Sequence, residues 1–293
     1  MGFENYHPAI NLIYFVSVIW ATVSFQQPVF LAVSYACAFA YSARRNGWRA
    51  VVFDLCLIPL IVIFALYYSG YHHFGITILR QNFIGNNMTM ESLVYGFTLG
   101  ITVSTVVMWL SCVFSIFTAD KVVYLFGRIS PKLSLYLSIA LRMVPRLKVQ
   151  ARKISTARSA VGRGTHQGNL LRRMVNGIKL FSMLVTWLLE SMATTSDSMR
   201  SRGYAMKGRT AFSIYRFDNR DRSFVIGIFA CLTVVLMAAA LGQTDMTFDP
   251  KIIMTPITTV SYVFYAGFTV LCLLPMALEI IGQLRFEQLR KKA

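Results

Sequence analysis

Long apolar runs separated by short polar segments occupy most of the 293-residue chain. The runs lie at Ala9–Phe25, Pro28–Tyr41, Ala50–Tyr68, Ser92–Phe117, Phe224–Leu241 and Ile257–Ile281. A helix needs about 20 such residues to cross the hydrocarbon core of a membrane. The Pro28–Tyr41 run reaches that length only with Ser42 and Ala43 added and some adaptation of the bilayer. This pattern predicts about six transmembrane helices.

Segment 119–222 has a different pattern, in which apolar residues follow a helical repeat inside a largely basic sequence. The repeat occurs at Leu133, Tyr136, Leu137 and Ala140, and again at Ile178, Phe181, Val185 and Leu188. Each predicted helix begins apolar and ends basic. A glycine closes each of them, either Gly162 or Gly164 for the first helix and Gly203 for the second.

The two patterns together predict an all-α integral membrane protein with about six transmembrane helices and two long cytoplasmic helices. We expect residues 1–118 to hold the N-terminal transmembrane helices and residues 119–222 to hold the two long helices. Residues 223–293 are expected to hold the C-terminal transmembrane helices and a basic tail. The mixed stretch between Gly70 and Met90 is predicted to be a surface excursion or a re-entrant segment.

Charge supports this interpretation and orients the chain. Charged residues make up 14% of the sequence and hydrophobic residues 56%, whereas a soluble domain carries about 25% charge. Twenty-seven of the 29 lysines and arginines lie in 43–49, in 119–222 and in the tail from Arg285, and the alternate loops hold only Arg80 and Lys251. By the positive-inside rule both termini and segment 119–222 are cytoplasmic in a multi-pass protein of the cell membrane. The topology of a protein in a lipid bilayer therefore accounts for the net charge of +17. We expect the bilayer as a partner and no nucleic acid.

The sequence lacks the common catalytic and nucleotide-binding motifs. It contains no GxxxxGK[ST] phosphate loop, no HExxH and no GxSxG. The five cysteines all lie in apolar runs and form no CxxC pair, so we expect neither a disulfide framework nor a metal cluster. His72 and His73 are adjacent on an outer loop and are a weak metal candidate. We expect no catalytic residue, no cofactor and no resident metal.

The basic helix ends are the remaining candidates for function. One interpretation is a solvated basic face attracted to anionic lipid. The triplet Ser201-Arg202-Gly203 favours another, because its small flanking residues let the backbone of a partner approach closely. The Arg202 guanidinium is then free to form a bidentate pair with a carboxylate. This arrangement is typical of a docking plug.

Over nearly its whole length the chain resembles a known family. "HPAINLIYFVSVIWATVSFQQPVF" is similar to a proline-led first helix, short turn and second helix, and "LSIALRMVPRLKVQAR" to a first coupling helix. "GNLLRRM" followed by "LLESMATTSDSMRSRGY" resembles a second coupling helix with its terminal small-Arg-Gly motif. The family is the T component of energy-coupling factor transporters, which includes the cobalt-uptake permeases.

The resemblance implies a non-catalytic subunit of an ATP-driven importer. Such a protein couples two cytoplasmic ATP-binding subunits, which hydrolyse the ATP, to a separate membrane-embedded subunit that binds a vitamin or a transition-metal ion. Each coupling helix ends in an Arg-containing motif that docks on one ATP-binding subunit. By resemblance Arg202 is the docking residue of the second motif, with Ser201 and Gly203 as its small flanks.

The first motif departs from the family pattern. The family has an arginine between an alanine and a glycine where this chain has Ala160-Val161-Gly162. The nearest cations are Arg158 and Arg163. We favour Arg163, which follows the glycine and can reach forward, over Arg158, whose side chain angles towards the helix start. The alternative is that Val161 itself fills an apolar groove and neither arginine matters.

Two other classes of function remain open from sequence alone. One is a membrane-embedded enzyme with a cytoplasmic-face site, although no nucleophile and general base converge in the motifs. The other is a lipid-binding scaffold without an ATP-binding partner. Co-purification distinguishes them, because two soluble ATPases in the detergent complex indicate transport and activity of the isolated chain indicates an enzyme.

The charge distribution makes a direct prediction about topology. In a variant lacking the native cysteines, Arg80→Cys and Lys251→Cys should react with a membrane-impermeant thiol reagent added outside intact cells. Lys207→Cys lies in the cytoplasmic segment of this topology and should react only after the cells are permeabilised. Labelling of Lys207→Cys from outside would overturn the orientation.

Overall fold

A computed structural model describes residues 3–72, 74–81, 87–204, 206, 215 and 217–292 of the chain. The described residues form two compact units, one of Met1–Thr118 with Tyr215–Ala293 and the other of Ala119–Ile214. We call them the membrane unit and the hairpin unit. Both are largely helical, which confirms the predicted all-α membrane class.

The membrane unit contains a short 3-10 helix, Phe3–Asn5, and seven α-helices. The helices are α1 (Pro8–Ser24), α2 (Pro28–Asn46), α3 (Trp48–Cys56), α4 (Ile58–Tyr71), α5 (Met90–Ile116), α9 (Asn219–Ala240) and α10 (Thr259–Lys292). Two antiparallel β-hairpins lie in the loops predicted to face outside, β1 (Ile78–Gln81) with β2 (Asn87–Thr89) and β3 (Met246–Thr247) with β4 (Ile253–Met254). The mixed Gly70–Met90 stretch therefore contains a hairpin.

Proline and polar caps set the helix starts. Pro8 and Pro28 occupy the first turns of α1 and α2, where a missing N–H costs nothing because it would have no intrahelical partner. Asp218 and Asp221 form a reciprocal capping box at the start of α9. The prediction that "FQQP" is a tight turn between two helices is confirmed, since α1 ends at Ser24 and α2 begins at Pro28.

Four helical segments are long and apolar enough to cross a membrane, judged by length and composition: Trp48–Tyr71, Met90–Ile116, Asn219–Ala240 and Thr259–Lys291. The first combines α3 and α4 across Leu57. The helix α1 is apolar but only 17 residues long. The count of six membrane crossings therefore stays a prediction.

The core of the membrane unit is rich in aromatic side chains. Trp109 is fully buried and donates its indole N–H to the Ser34 hydroxyl at 3.2 Å, and Tyr14 donates to the Cys272 carbonyl at 3.1 Å. These bonds satisfy polar atoms that would otherwise be costly in an apolar interior. They join α1, α2, α5 and α10 into one core.

Charged residues at the predicted inner end of this unit pair with one another. Arg45 forms an ion pair with Glu4 and lies 3.9 Å from Glu279, which also accepts a hydrogen bond from the Tyr41 hydroxyl at 3.3 Å. Glu279 thus has both a cation and a hydrogen-bond donor beside it. Asp54 is fully buried in α3, and its carboxylate oxygens have no geometrically acceptable hydrogen bond to any described group.

The hairpin unit consists of α6 (Ala119–Ile129), α7 (Pro131–Ala160) and α8 (Leu170–Ser201). The two predicted long helices are α7 and α8, and α6 is an additional amphipathic helix that packs on α7. The end of α7 lies beside the first half of α8, and residues of the first half of α7 share a cavity with the last residues of α8. The two helices therefore run antiparallel.

Close packing of α4 on α5 depends on two glycines. A Cβ added at Gly100 would lie 2.9 Å from the Ile61 backbone, and one at Gly96 would lie 2.8 Å from the Ala65 Cα. Small residues spaced four apart let membrane helices approach closely.

We predict that Gly100→Ala destabilises the protein by about 1–3 kcal/mol, because the added methyl group collides with backbone atoms. Gly227→Ala in α9 is the matched control, since nothing lies within 4 Å of its Cβ position. This control should be neutral or stabilising by up to about 1 kcal/mol. Thermal unfolding in one detergent measures both variants, and equal midpoints would contradict the packing argument.

Candidate functional site

The first candidate docking end is the C-terminus of α7. Val161 is its C-cap, and Gly162 follows with φ of 71°, a left-handed conformation that favours glycine. The Gly162 N–H donates to the Ser159 carbonyl at 3.1 Å, and the Arg163 N–H to the Arg158 carbonyl at 2.9 Å. These two bonds form a Schellman motif, which satisfies the last carbonyl groups of the helix. Of the two glycines predicted to close α7, Gly162 does so.

The C-terminus of α8 closes in the same way. Arg202 is the C-cap and Gly203 follows with φ of 76°. The Gly203 N–H donates to the Arg200 carbonyl at 3.0 Å, and the Tyr204 N–H donates to the Met199 carbonyl at 3.2 Å. Both long helices therefore end in a Schellman motif. Ala160, Val161 and Gly162 occupy the same motif positions as Ser201, Arg202 and Gly203.

The C-cap side chains project into open space. Val161 is 73% exposed, and nothing lies within 4 Å of the Gly162 Cβ position. Arg163 and Arg202 are exposed, and their guanidinium groups make no hydrogen bond or ion pair to another described residue. Among the predicted docking residues, these three side chains are available to a partner.

Arg158 has a different environment. It is half-buried, and its guanidinium donates to the Asn176 side-chain oxygen on α8 at 3.3 Å and to the Arg163 carbonyl at 3.3 Å. A third nitrogen lies 3.8 Å from the Met183 sulfur. Arg158 is therefore turned towards α8 and bonded within the chain. This arrangement reduces its availability to a partner.

The two tips lie at opposite ends of the hairpin. The antiparallel arrangement places the α7 tip beside the start of α8 and the α8 tip beside the start of α7. Since α7 has 30 residues and α8 has 32, a rise of 1.5 Å per residue separates the tips by on the order of 40 Å. A single partner groove cannot hold both tips. The two tips of the hairpin are therefore two separate candidate sites.

An exposed apolar stripe runs along the first two thirds of α8. Its members are 63–75% exposed and follow helical spacing: Leu171, Met174, Ile178, Phe181 and Leu189. None of the described residues of α8 is buried. Between the last turns of α8 and the first half of α7 lies a mainly apolar cavity of about 450 Å³ that reaches Tyr204. Exposed apolar surface of this extent is typical of an interaction site.

Metal-binding groups are absent from the described residues. No group of three His, Cys, Asp or Glu side chains within them is placed to hold a metal ion. His72 stacks on Tyr68 with ring centroids 4.2 Å apart, and His73 lies outside the described residues. The carboxylates of Glu190 and Asp197 on α8 are exposed and make no ion pair with a described residue.

The sequence analysis missed the polar network behind the α7 tip. The Asn176 amide group donates to the Gly164 carbonyl at 3.1 Å, and the Gln167 side chain joins Gly164 to the Ser159 carbonyl. The first half of α8 also carries Arg172, Arg173 and Lys179, so a polar Asn176 among them gave no distinct sequence signal. Its partner Arg158 lies 18 positions earlier, beyond the reach of a helical repeat.

A multi-helix membrane unit joined to a long two-helix hairpin with matching capped ends defines a helical membrane protein with an interaction module. Comparison of sequences gives the family. The profile of CbiQ, cobalt transport protein, matches residues 4–212, more than half of the chain. The chain belongs to this family, the T components of energy-coupling factor transporters.

Individual relatives carry a consistent name. The energy-coupling factor transporter transmembrane protein EcfT of Bacillus selenitireducens is 32% identical over 108 residues, 36% of this chain and 40% of the relative. The EcfT of Lactobacillus helveticus is 28% identical over 232 residues, 73% of this chain and 81% of the relative. That of Lacticaseibacillus paracasei is 34% identical over 114 residues, 37% of this chain and 42% of the relative. In the shorter matches the chain thus spans about two fifths of the relative.

The shared caps lead to a prediction about the tips. Gly203→Ala should open the last turn of α8, because a Cβ in the left-handed conformation costs about 1–2 kcal/mol. Hydrogen exchange at the Tyr204 amide should then be roughly tenfold faster. Gly177→Ala, within α8 and with nothing within 4 Å of its Cβ position, is the control and should leave that amide unchanged. An unchanged Tyr204 amide in Gly203→Ala would exclude the cap assignment.

Proposed function

We propose that this chain is the transmembrane coupling subunit of an energy-coupling factor importer. It docks two cytoplasmic ATP-binding subunits and transmits their motion to a separate membrane-embedded subunit that binds a vitamin or a transition-metal ion. The observation that carries the proposal is the hairpin, whose two long helices end in the same capped, exposed motif at opposite ends. The chain itself is non-catalytic and needs no cofactor, since ATP hydrolysis belongs to the partners.

The α8 tip docks through the charge of Arg202. A guanidinium at the C-cap, without a partner among the described residues, is positioned to make a bidentate pair with a carboxylate in a partner groove. Ser201 and Gly203 are small, so the partner backbone can approach the helix end on both sides of Arg202. Arg202 is therefore the main docking residue of this tip.

The α7 tip docks through Val161 and Arg163. Val161 occupies the position of Arg202 but is apolar and 73% exposed, so it suits an apolar groove. Arg163 lies two positions further on, beyond the cap, and its side chain is exposed. Arg158 is bonded to Asn176 and takes no direct part. Ala160 and Gly162 are the small flanks of this docking motif.

The apolar stripe of α8 provides a contact for the substrate-binding subunit. Its five large side chains are exposed to water in the isolated hairpin unit. Burying one such side chain contributes about 1.5–3 kcal/mol, which favours a partner with its own apolar surface. ATP binding closes the two ATPases, their grooves move the two tips, and the hairpin carries this motion to the stripe. Both termini and the hairpin are cytoplasmic in this scheme.

Charge reversal at the α8 tip tests the docking of Arg202. Arg202→Glu places a carboxylate against the partner's carboxylate and removes the guanidinium that would pair with it. Breaking a buried charged pair costs about 3–5 kcal/mol. Co-purification of the ATP-binding subunits should then be lost. Arg146→Glu makes the same charge change at an exposed site near the middle of α7, away from both tips, and should cost about 0–1 kcal/mol. Equal losses in both variants would indicate a diffuse basic patch.

A matched set at the α7 tip distinguishes its candidate residues. Arg163→Ala should weaken capture of the ATP-binding subunits roughly tenfold, as expected for loss of a charge-assisted bond. Val161→Asp should also weaken capture, because it puts a carboxylate into an apolar groove. If Arg163→Ala is silent while Val161→Asp abolishes assembly, the apolar groove alone explains docking. If the chain purifies without an ATP-binding subunit under conditions that preserve membrane complexes, the docking function is wrong and the lipid-binding scaffold is the function that remains.

A further inference from the structure

The connection between α7 and α8 is held by side chains from both helices. Arg158 near the end of α7 donates a hydrogen bond to the side-chain oxygen of Asn176 at 3.3 Å. Asn176 lies in the second turn of α8, seven positions after the N-cap residue Asn169. Asn176 in turn donates to the Gly164 carbonyl in the connection at 3.1 Å. We call Arg158, Asn176 and Gly164 the latch. It ties the last turn of one helix, the connection and the second turn of the next helix together.

The central side chain of the latch, Asn176, is bonded through both its oxygen and its nitrogen. The Asn176 amide oxygen accepts from a guanidinium while the amide nitrogen donates to a backbone carbonyl. Arg158 also donates to the Arg163 carbonyl, so it holds the backbone of the residue proposed to dock. Gln167 adds a second brace, accepting from the Gly164 N–H at 3.0 Å and donating to the Ser159 carbonyl at 3.3 Å. These bonds hold the tip from behind and leave its outer side chains free.

We propose that Arg158 and Asn176 are positioning residues that lock the α7 tip to the first half of α8. A displacement of Val161 and Arg163 then moves the apolar stripe as one rigid body with the tip. Asn176 lies between Met174 and Ile178, two members of that stripe, so the locked segment is the one that carries the stripe. This inference rests on the proposed docking function and assigns Arg158 a role other than docking.

Asn176→Leu tests the latch because leucine has similar size and can make neither bond. The chain carries spin labels at Thr165→Cys in the connection and Thr194→Cys on α8, in a variant without native cysteines. The distribution of distances between the labels should be narrow in the parent and at least about twofold broader in Asn176→Leu, since losing two hydrogen bonds frees the connection. Lys179→Leu, an exposed residue one turn further along α8, is the control and should stay narrow.

Further variants separate the latch from simple loss of fold. Asn176→Asp retains an acceptor for Arg158 and should restore most of the narrow distribution. Arg158→Leu combined with Asn176→Leu should be no broader than Asn176→Leu alone, because both changes break the same connection. Equal widths in Asn176→Leu and Lys179→Leu would overturn the proposal, as would full additivity in the double variant.

The docking function and the latch fail in different ways. Arg163→Ala should weaken capture of the ATP-binding subunits roughly tenfold but keep the narrow distance distribution, because Arg158 bonds to the Arg163 backbone. Asn176→Leu should keep capture, yet a spin label at Met174→Cys should no longer respond to ATP in the assembled complex. A change of the Thr165–Thr194 distance on ATP addition in the parent complex would show that the latch opens, and would overturn the proposal. Failure of the parent chain to capture the ATP-binding subunits would count against the docking function and would leave the latch unaffected.

Discussion

The hairpin unit depends on an apolar surface that it cannot bury by itself. A helix gains most of its stability in a protein from packing of one apolar face, yet none of the 32 residues of α8 is buried in the described structure. Its stripe from Leu171 to Leu189 is open, while Asn176 faces α7 and is half-buried. Leaving five large side chains in water is unfavourable by several kcal/mol in total. No described protein surface covers the stripe, so membrane lipid or a partner protein is needed to bury it.

The helix caps separate the geometry of a tip from its chemistry. A Schellman motif needs a glycine at one position and leaves the preceding C-cap side chain without a structural role. Gly162 and Gly203 meet that need, so Val161 and Arg202 can differ completely while the backbone stays the same. The departure from the family pattern at position 161 thus leaves the fold intact. In the proposed docking scheme its consequence falls on the two partners, because one meets an apolar tip and the other a cationic tip.

Features set by local sequence were predictable. The apolar runs gave the helical membrane class, Pro28 gave the α1–α2 turn, and Gly203 gave the end of α8, because each depends on residues within one or two turns. The choice of Gly162 over Gly164 was not predictable from spacing. Gly162 has the positive φ, whereas a Cβ at Gly164 would lie 3.1 Å from Ser159, so Gly164 serves close packing.

Features set by contacts between helices were the ones missed. The role of Arg158 depends on Asn176, and no periodic pattern links residues on two antiparallel helices. The helix α6 was also missed, and its place in the unit is defined by its packing on α7. In each case the deciding information was which helix faces lie together.

The two long helices differ in stiffness in a way that gives the latch its importance. Pro145 lies inside α7, where it removes one backbone hydrogen bond and crowds the preceding turn. A force on the α7 tip would have to pass this weak point to reach the first half of α7. The helix α8 contains no proline, and its single glycine, Gly177, lies beside the latch. A connection from Arg158 to Asn176 bypasses Pro145 and carries the force directly into the stiffer helix, which is also the one that bears the exposed stripe.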